Sequence, residues 1–350
     1  MNSFIKDICE KVYEETDVSN FKGKVVLITG ANGLIGGFLA DFFDYLNSFH
    51  SYNMKIVLSS RSYYKNAKRI QHLIKKPYVK YVSRDLSTSE PWSHAVGSVD
   101  YCFYCAGYAQ PAKFLAQPIK TFSLNSAGVD NVFKYVFKNE SARCVYLSSS
   151  EIYSSNLDTM DEHSSHKEED AITIDLKNKR NPYVLGKLSG ETIVNNFREQ
   201  GNSACSVRVS LCYGPGVSAE DNRVMSELAR KGGSESENIQ LFDEGTAIRK
   251  YLHISDFVKM LLTIAQKGTQ PVYNVGGKEE VTIYEMAKQI GRYYGKEIKK
   301  GKANNNVSRT APKKVSVSMR KYEQEFGKLD CIPFENGLLQ FLKWCEEETK

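Results

Sequence analysis

Short, dense runs of β-branched and aromatic residues punctuate the first half of the chain, with amphipathic stretches between them. The runs are KVVLITG (24–30), MKIVLSS (54–60), YVKYV (78–82), VDYCFYCAG (99–107) and RCVYLSS (143–149). Helices are predicted between them at 34–48 and 117–138, and after them at 183–199. Strands alternating with helices predict an α/β chain with a doubly wound parallel sheet covered on both faces. The near-continuous apolar character of the strands fits that burial. An amphipathic helix, MNSFIKDICEKVYEE, precedes the first strand. Shorter mixed elements from about residue 200 predict a smaller C-terminal lobe. The polar stretch 155–181 reads as a loop, and KKGKANNNVSRTAPKK (299–314) as an exposed basic loop.

Composition narrows the class. The chain has 350 residues, 41% of them hydrophobic, with both signs of charge interspersed, which suits one large globular domain or two closely joined ones. No apolar run approaches the roughly 20 residues that span a bilayer, so no membrane role is expected. The N-terminus is too charged for a signal peptide. Eight cysteines are scattered, and the CxxC pair Cys102 and Cys105 lies in an apolar strand. It reads as core rather than as a metal or redox site, and reduced cytoplasm is the expected compartment. The net charge of +6 suits a phosphate-bearing small ligand. There is no basic stripe interleaved with aromatics, so nucleic acid is not an expected partner.

Candidate chemistry begins at ITGANGLIGG, which places Gly30, Gly33 and Gly36 between the first strand and its helix. A dinucleotide needs a tight turn there, close backbone approach to its pyrophosphate and a helix N-terminus facing the phosphates. The predicted cofactor contacts in this loop are Gly30, Asn32, Gly33, Leu34, Ile35 and Gly36. At the end of the second strand an acid would bind the adenosine ribose, but the chain has Ser59, Ser60 and Arg61. Arg61 could pair with a 2′-phosphate, which would favour NADP over NAD, or be a solvated arginine. Asp85 and Leu86, after the third strand, are placed at the adenine edge. Cys105, Ala106 and Gly107 end the fourth strand beside the cofactor.

The fifth strand ends in SSSEIY, with Ser149, Ser150 and Glu151. Downstream, NPYVLGK puts Tyr183 and Lys187 at i and i+4, on one helix face. The Lys187 ammonium is expected to lower the ionisation of the Tyr183 phenol, so that the phenol serves as a base near neutral pH. Ser149 would hold the same substrate oxygen by a hydrogen bond.

GANGLIG, SSSEIY, YVLGK and RVSLCYGPG, with RKYLHISDF and VYNVGG, resemble the extended short-chain dehydrogenase/reductases that modify nucleotide sugars. The resemblance covers the chain beyond residue 22. AQPIKTFSLNSAG (116–128), SSSEIY and GVSAEDNRVMSELA (216–229) are most similar to UDP-glucuronate decarboxylases. It implies a Rossmann-type sheet over 23–205 with returning segments near 245–275, a nucleotide-sugar-binding lobe over 206–245 and 276–350, and 1–22 as an extension. It also implies bound NAD, transient oxidation at the sugar C4, and a homodimer through the helices at 117–138 and 183–199. Val129, Val132, Phe133 and Val136 lie at helical spacing and could equally face the sheet.

By the resemblance, Ser149, Ser150, Glu151, Tyr183 and Lys187 are catalytic, and Lys120, Asn125, Arg223, Arg249 and Arg309 bind substrate. Glu151 is then the group at C5, as general base or orienting carboxylate, or else a cap on the next turn. That favours a decarboxylase or dehydratase; a 4-epimerase, an NADP-dependent reductase and a cofactor-binding sensor are the alternatives. Three decarboxylase residues are replaced: Leu185 stands for a glutamate, Leu211 for an asparagine and Gly216 for an arginine. No metal site is expected. Tyr153 and His253 read as packing residues.

Overall fold

The computed structural model describes residues 1–88, 90–92, 94, 96–156, 165–301 and 314–348. Its centre is a seven-stranded parallel sheet: β1 (Val25–Thr29), β2 (Lys55–Ser60), β3 (Val79–Ser83), β4 (Tyr101–Tyr104), β5 (Arg143–Ser149), β6 (Ser203–Val209) and β7 (Val272–Val275). The order across the sheet is β7-β6-β5-β4-β1-β2-β3, and every neighbouring pair runs parallel. Alternate residues of each strand enter opposite layers, as the pleat requires. Val26, Ile28, Ile56 and Leu58 pack in the layer that holds Phe38 and Phe42 of α2 (Leu34–His50) and Leu261 of α8 (Ile254–Lys267). Leu27, Val57, Cys102 and Tyr104 face the opposite layer.

The helix predicted over 117–138 is two helices, α4 (Pro118–Asn125) and α5 (Ala127–Val136), preceded by the short α3 (Pro111–Ala116). Pro118, which has no N–H to give, opens α4 at its first turn. At Ser126 the backbone leaves the helical region (φ −113°, ψ −86°) before α5 restarts. Val129, Val132, Phe133 and Val136 of α5 are buried in the sheet layer, which decides their orientation. α6 (Asn181–Glu199) packs beside α4 and α5 and carries the Tyr183–Lys187 pair.

The N-terminal segment forms α1 (Ser3–Glu14), capped by the Asn2 side chain. It docks Ile5, Ile8, Cys9 and Val12 against α2 and α8. Lys259 of α8 ties it down by an ion pair to Glu15 at 2.7 Å. β6 continues to Val209, so the central sheet runs past residue 205, and the returning segment supplies α8 and edge strand β7. The smaller lobe holds α7 (Val224–Gly233), α9 (Ile283–Tyr294), α10 (Arg320–Phe326) and α11 (Phe334–Glu348), with short strands between them. No helix among the described residues is long and apolar enough to cross a membrane.

Candidate active site

β1 has β2 on one side and β4 on the other, so the chain order reverses there. The crevice beyond the carboxyl ends at such a switch point is where ligands bind in open α/β sheets. Gly30 makes the turn with φ +65°, and a Cβ on it would lie 2.7 Å from the Cys105 carbonyl oxygen and 2.8 Å from Ala106. A Cβ on Gly36 would lie 2.6 Å from the Gly30 oxygen. These two glycines therefore let β1, β4 and α2 close on one another. Gly33 is the N-cap of α2, so the first-turn N–H groups at Leu34 and Ile35 have no intrahelical partners, which is the geometry an anion needs. Asn32 is spent locally: its Oδ1 accepts the Arg69 backbone N–H at 3.1 Å. Gly36→Ala is expected to weaken dinucleotide binding at least tenfold and to destabilise the fold by about 1–3 kcal/mol, measured by calorimetry and thermal melting. The clash is with backbone, which cannot rotate away.

Beyond the ends of β2 and β3, Arg61, Tyr63, Ser83, Arg84, Asp85, Thr88 and Glu90 line a concavity of about 360 Å³. Two arginines there are balanced by two acids, and Arg84 is paired with Glu90 at 2.8 Å. Arg61 donates to the Tyr108 hydroxyl and stacks 4.9 Å from that ring. Ser60 bonds the Tyr81 hydroxyl at 2.7 Å. Burial opposes the Asp85 charge, yet hydrogen bonds from Ser87 and the charges of Lys120 and Arg61 outweigh it and hold the carboxyl below its ordinary range. Leu86 is buried beneath this edge.

The structure brings Ser149, Tyr183 and Lys187 together. Tyr183 is buried, and the Ser149 side chain lies close enough to favour its ionised form. The Glu151 backbone N–H donates to Ser149 Oγ at 3.1 Å, fixing the hydroxyl from the other side. Ser150 is buried at the start of the turn Ser150–Asn156. Lys187 Nζ donates to the Leu147 carbonyl at 2.6 Å and sits 5.7 Å from the Tyr183 ring centroid. Gly107 lies beside it, and a Cβ there would be 3.4 Å from Nζ, an ordinary contact distance.

The expected lowering of the Tyr183 ionisation by Lys187 is not found in the protein itself. Burial pushes the phenol up to about 12, Glu151 adds to the rise, and only Ser149 and Arg180 pull it down. Burial likewise pushes Lys187 down to about 7. Removing both groups from water costs each its charged form.

The remaining predicted residues divide. Arg249, on the short strand Ile248–Arg249, lies within electrostatic reach of Glu151. Asn125 is fully buried and bonds the Thr121 carbonyl and the Tyr146 hydroxyl, which places it beneath the site. Lys120 is exposed on α4, on the Asp85 side. Arg223 caps α7, pairs with Asp221 at 2.7 Å and donates to the Cys212 carbonyl at 3.0 Å. Arg309 lies outside the described residues. Gly216 has φ +96°, and a Cβ there would meet the Arg69 guanidinium at 2.9 Å. Arg69, from a distant segment, therefore fills the space beside Gly216. Tyr153 and His253 are buried, and burial takes His253 down to about 3.

Sequence reasoning missed Arg180 and Phe114. Arg180 Nε donates to Glu151 Oε1 at 2.5 Å, and the Phe114 ring stacks on Tyr183 with centroids 4.7 Å apart. The one available signal was Arg180 standing three residues before the tyrosine.

A profile of the NAD dependent epimerase/dehydratase family matches residues 26–276. The chain is 27% identical over 279 residues to a dTDP-4-dehydro-6-deoxy-D-allose reductase of a Streptomyces species, covering 78% of this chain and 82% of that protein. It is 24% identical over 330 residues to UDP-glucuronic acid decarboxylase 1 of Xenopus tropicalis, covering 93% and 73%. Among solved structures, dTDP-glucose 4,6-dehydratase from Bacillus anthracis in complex with NAD superposes with a TM-score of 0.74 at 22% identity, over 93% of this chain and 97% of that one. Glycine cradle, switch-point crevice and profile agree: the chain belongs to the NAD-dependent epimerase/dehydratase family.

Proposed function

We propose that the protein is a nucleotide-sugar enzyme that uses bound NAD to oxidise the sugar transiently at C4, acts at C5 by decarboxylation or elimination, and returns the hydride. One arrangement carries the reading: Ser149 lies close enough to the Tyr183 phenol to ease its ionisation, beside buried Lys187, with the Glu151 carboxylate two residues on. The cradle at Gly30 and Gly36, the α2 N-terminus and the Asp85 edge fit a dinucleotide. When bound, NAD supplies the hydride acceptor and donor and, oxidised, a positive charge. Ser149 orients the sugar 4-hydroxyl, and Tyr183 would take its proton as phenolate, a form that the positive charge of the oxidised cofactor and of Lys187 would favour once the cofactor is bound. The 4-keto group then acidifies C5 or loosens a C5 carboxylate, and Glu151 is the group facing that carbon. A simple 4-epimerisation needs no acid there. Arg249 and Arg223 are assigned to the diphosphate, for which the guanidinium fork is suited.

A second reading, net reduction of a keto-sugar with NADPH, is favoured by Arg61 and by similarity to reductases. The balanced charges of the adenosine concavity, Arg61 and Arg84 against Asp85 and Glu90, favour NAD instead. Incubation with UDP-, dTDP-, GDP- and CDP-sugars, followed by mass spectrometry and by the absorbance of reduced nicotinamide, separates the two. Loss of carbon dioxide or water without net absorbance change supports the first. Stoichiometric oxidation of added reduced cofactor overturns it. We also assign a homodimer through α4 and α6, supported by exposed Ile119 and Phe122 on α4; light scattering should give the mass of two chains. Eight free thiols support a reducing compartment.

A further inference from the structure

We infer that Arg180 is a positioning residue for the reacting centre: its guanidinium fixes the Glu151 carboxylate and offsets the charge of that carboxylate at the Tyr183 phenol. This rests on the functional reading above and adds a residue to it.

The geometry is specific. Arg180 stands immediately before α6, and its carbonyl accepts the Tyr183 N–H at 3.0 Å and the Val184 N–H at 3.3 Å. Its side chain turns back to Glu151, with Nε donating to Oε1 at 2.5 Å. The guanidinium lies 5.1 Å from the Phe114 ring centroid. That ring in turn stacks on Tyr183 at an interplanar angle of 16°. One side chain therefore touches the carboxylate directly and the phenol through a single ring. Both partners of the ion pair are mostly sheltered, at 17% and 21% side-chain exposure, so water screens them less than a surface pair.

The groups facing the phenol define the electrostatic balance. Ser149 lies beside it at the end of β5, Glu151 faces it from the turn after β5, and Arg180 from the start of α6. Lys187, on the same helix, lies 5.7 Å from the ring and bonds the Leu147 carbonyl. Tyr146 of β5 is also close, and Phe114 of α3 covers one face. Arg249 approaches Glu151 from the smaller sheet and is repelled by Arg180. Among these, Glu151 pushes the phenol's ionisation up and Arg180 brings it down. Without Arg180 the carboxylate would act unopposed and lose its anchor. A lysine keeps the charge but lacks the fork.

The test uses NAD-loaded protein carrying ¹³C at the tyrosine Cζ, with the Tyr183 resonance assigned by its loss in Tyr183→Phe. In Arg180→Gln the titration of that resonance is expected to move upward by about half a pH unit or more. Arg180→Lys should recover most of the change, and Arg180→Gln/Glu151→Gln should return to the wild-type value or below. An unchanged titration in Arg180→Gln, or an equal rise in the double variant, overturns the inference. Glu151→Gln alone leaves the start of α6 intact and should lower the titration. If Arg180→Gln fails to fold, no lowering in Glu151→Gln overturns the inference in its place. No sugar is needed, so a wild-type protein inactive on every nucleotide sugar would defeat the functional reading while leaving this measurement to stand separately.

Discussion

Lys187→Met is expected to abolish turnover while raising the melting temperature. Lys187 is 4% exposed, and burial takes its ionisation from the ordinary 10.5 to about 7. The unfolded chain therefore holds a proton that the folded protein gives up between about pH 7 and pH 10.5. Stability rises with pH wherever the unfolded state binds more protons. The penalty is thus full below the folded value and fades as pH climbs to the unfolded one. At neutral pH it is a few kcal/mol, since each pH unit is worth about 1.4 kcal/mol. The hydrogen bond to the Leu147 carbonyl returns only about 1 kcal/mol of that. Methionine has a similar shape and carries no charge, so melting at pH 7 should rise by several degrees, with the gain shrinking at pH 9.5. Turnover should fall by about a thousandfold or more. A melting temperature that does not rise would mean that the lysine is not as dry as its position implies.

The second large effect is expected from Glu191→Gln. Glu191 of α6 accepts Arg208 Nε at 3.0 Å, Arg208 Nη2 at 2.8 Å and the Ser148 hydroxyl at 2.5 Å. Arg208 Nη1 reaches the Tyr153 hydroxyl at 2.6 Å, which also donates to Asn274 at 3.0 Å. Burial works against the Arg208 charge, but Glu191 outweighs it and keeps the guanidinium protonated. Removing one partner leaves a buried charge unopposed, at a cost of about 3–5 kcal/mol. Urea unfolding should show that loss. Replacing both partners, as in Glu191→Leu/Arg208→Met, should restore most of it, because apolar residues of similar volume often match a buried pair. Ser148 precedes Ser149, so activity should fall in the single variant as well.

Much of this architecture was legible in the residue pattern because the inner strands are buried on both faces. β5 was read at its observed ends, 143–149, since no polar residue interrupts the run before its serines. The helix over 117–138 was read as continuous because its apolar spacing survives the interruption at Ser126. Only the backbone there, and α5 packing on the sheet while α4 meets α6, shows two pieces. At the site, glycine, serine, tyrosine and lysine stood out by spacing. The dominant electrostatic effect did not: sequence places Lys187 beside Tyr183 but does not show that both are dry. Asn125 is similar, since i+4 bonding to Thr121 turns a polar residue inward. Arg180 was overlooked because its partner, Glu151, lies 29 residues away.

The most direct measurement of the central claim is turnover and NAD binding by Tyr183→Phe, with a nucleotide sugar that the wild-type protein converts. The phenol hydroxyl is removed while the ring that stacks on Phe114 remains. Conversion should drop by about a thousandfold or more, with NAD affinity within about threefold of wild type and no reduced nicotinamide accumulating on addition of the sugar. Undiminished conversion by the phenylalanine variant would contradict the assignment of the base, and with it the account of the site.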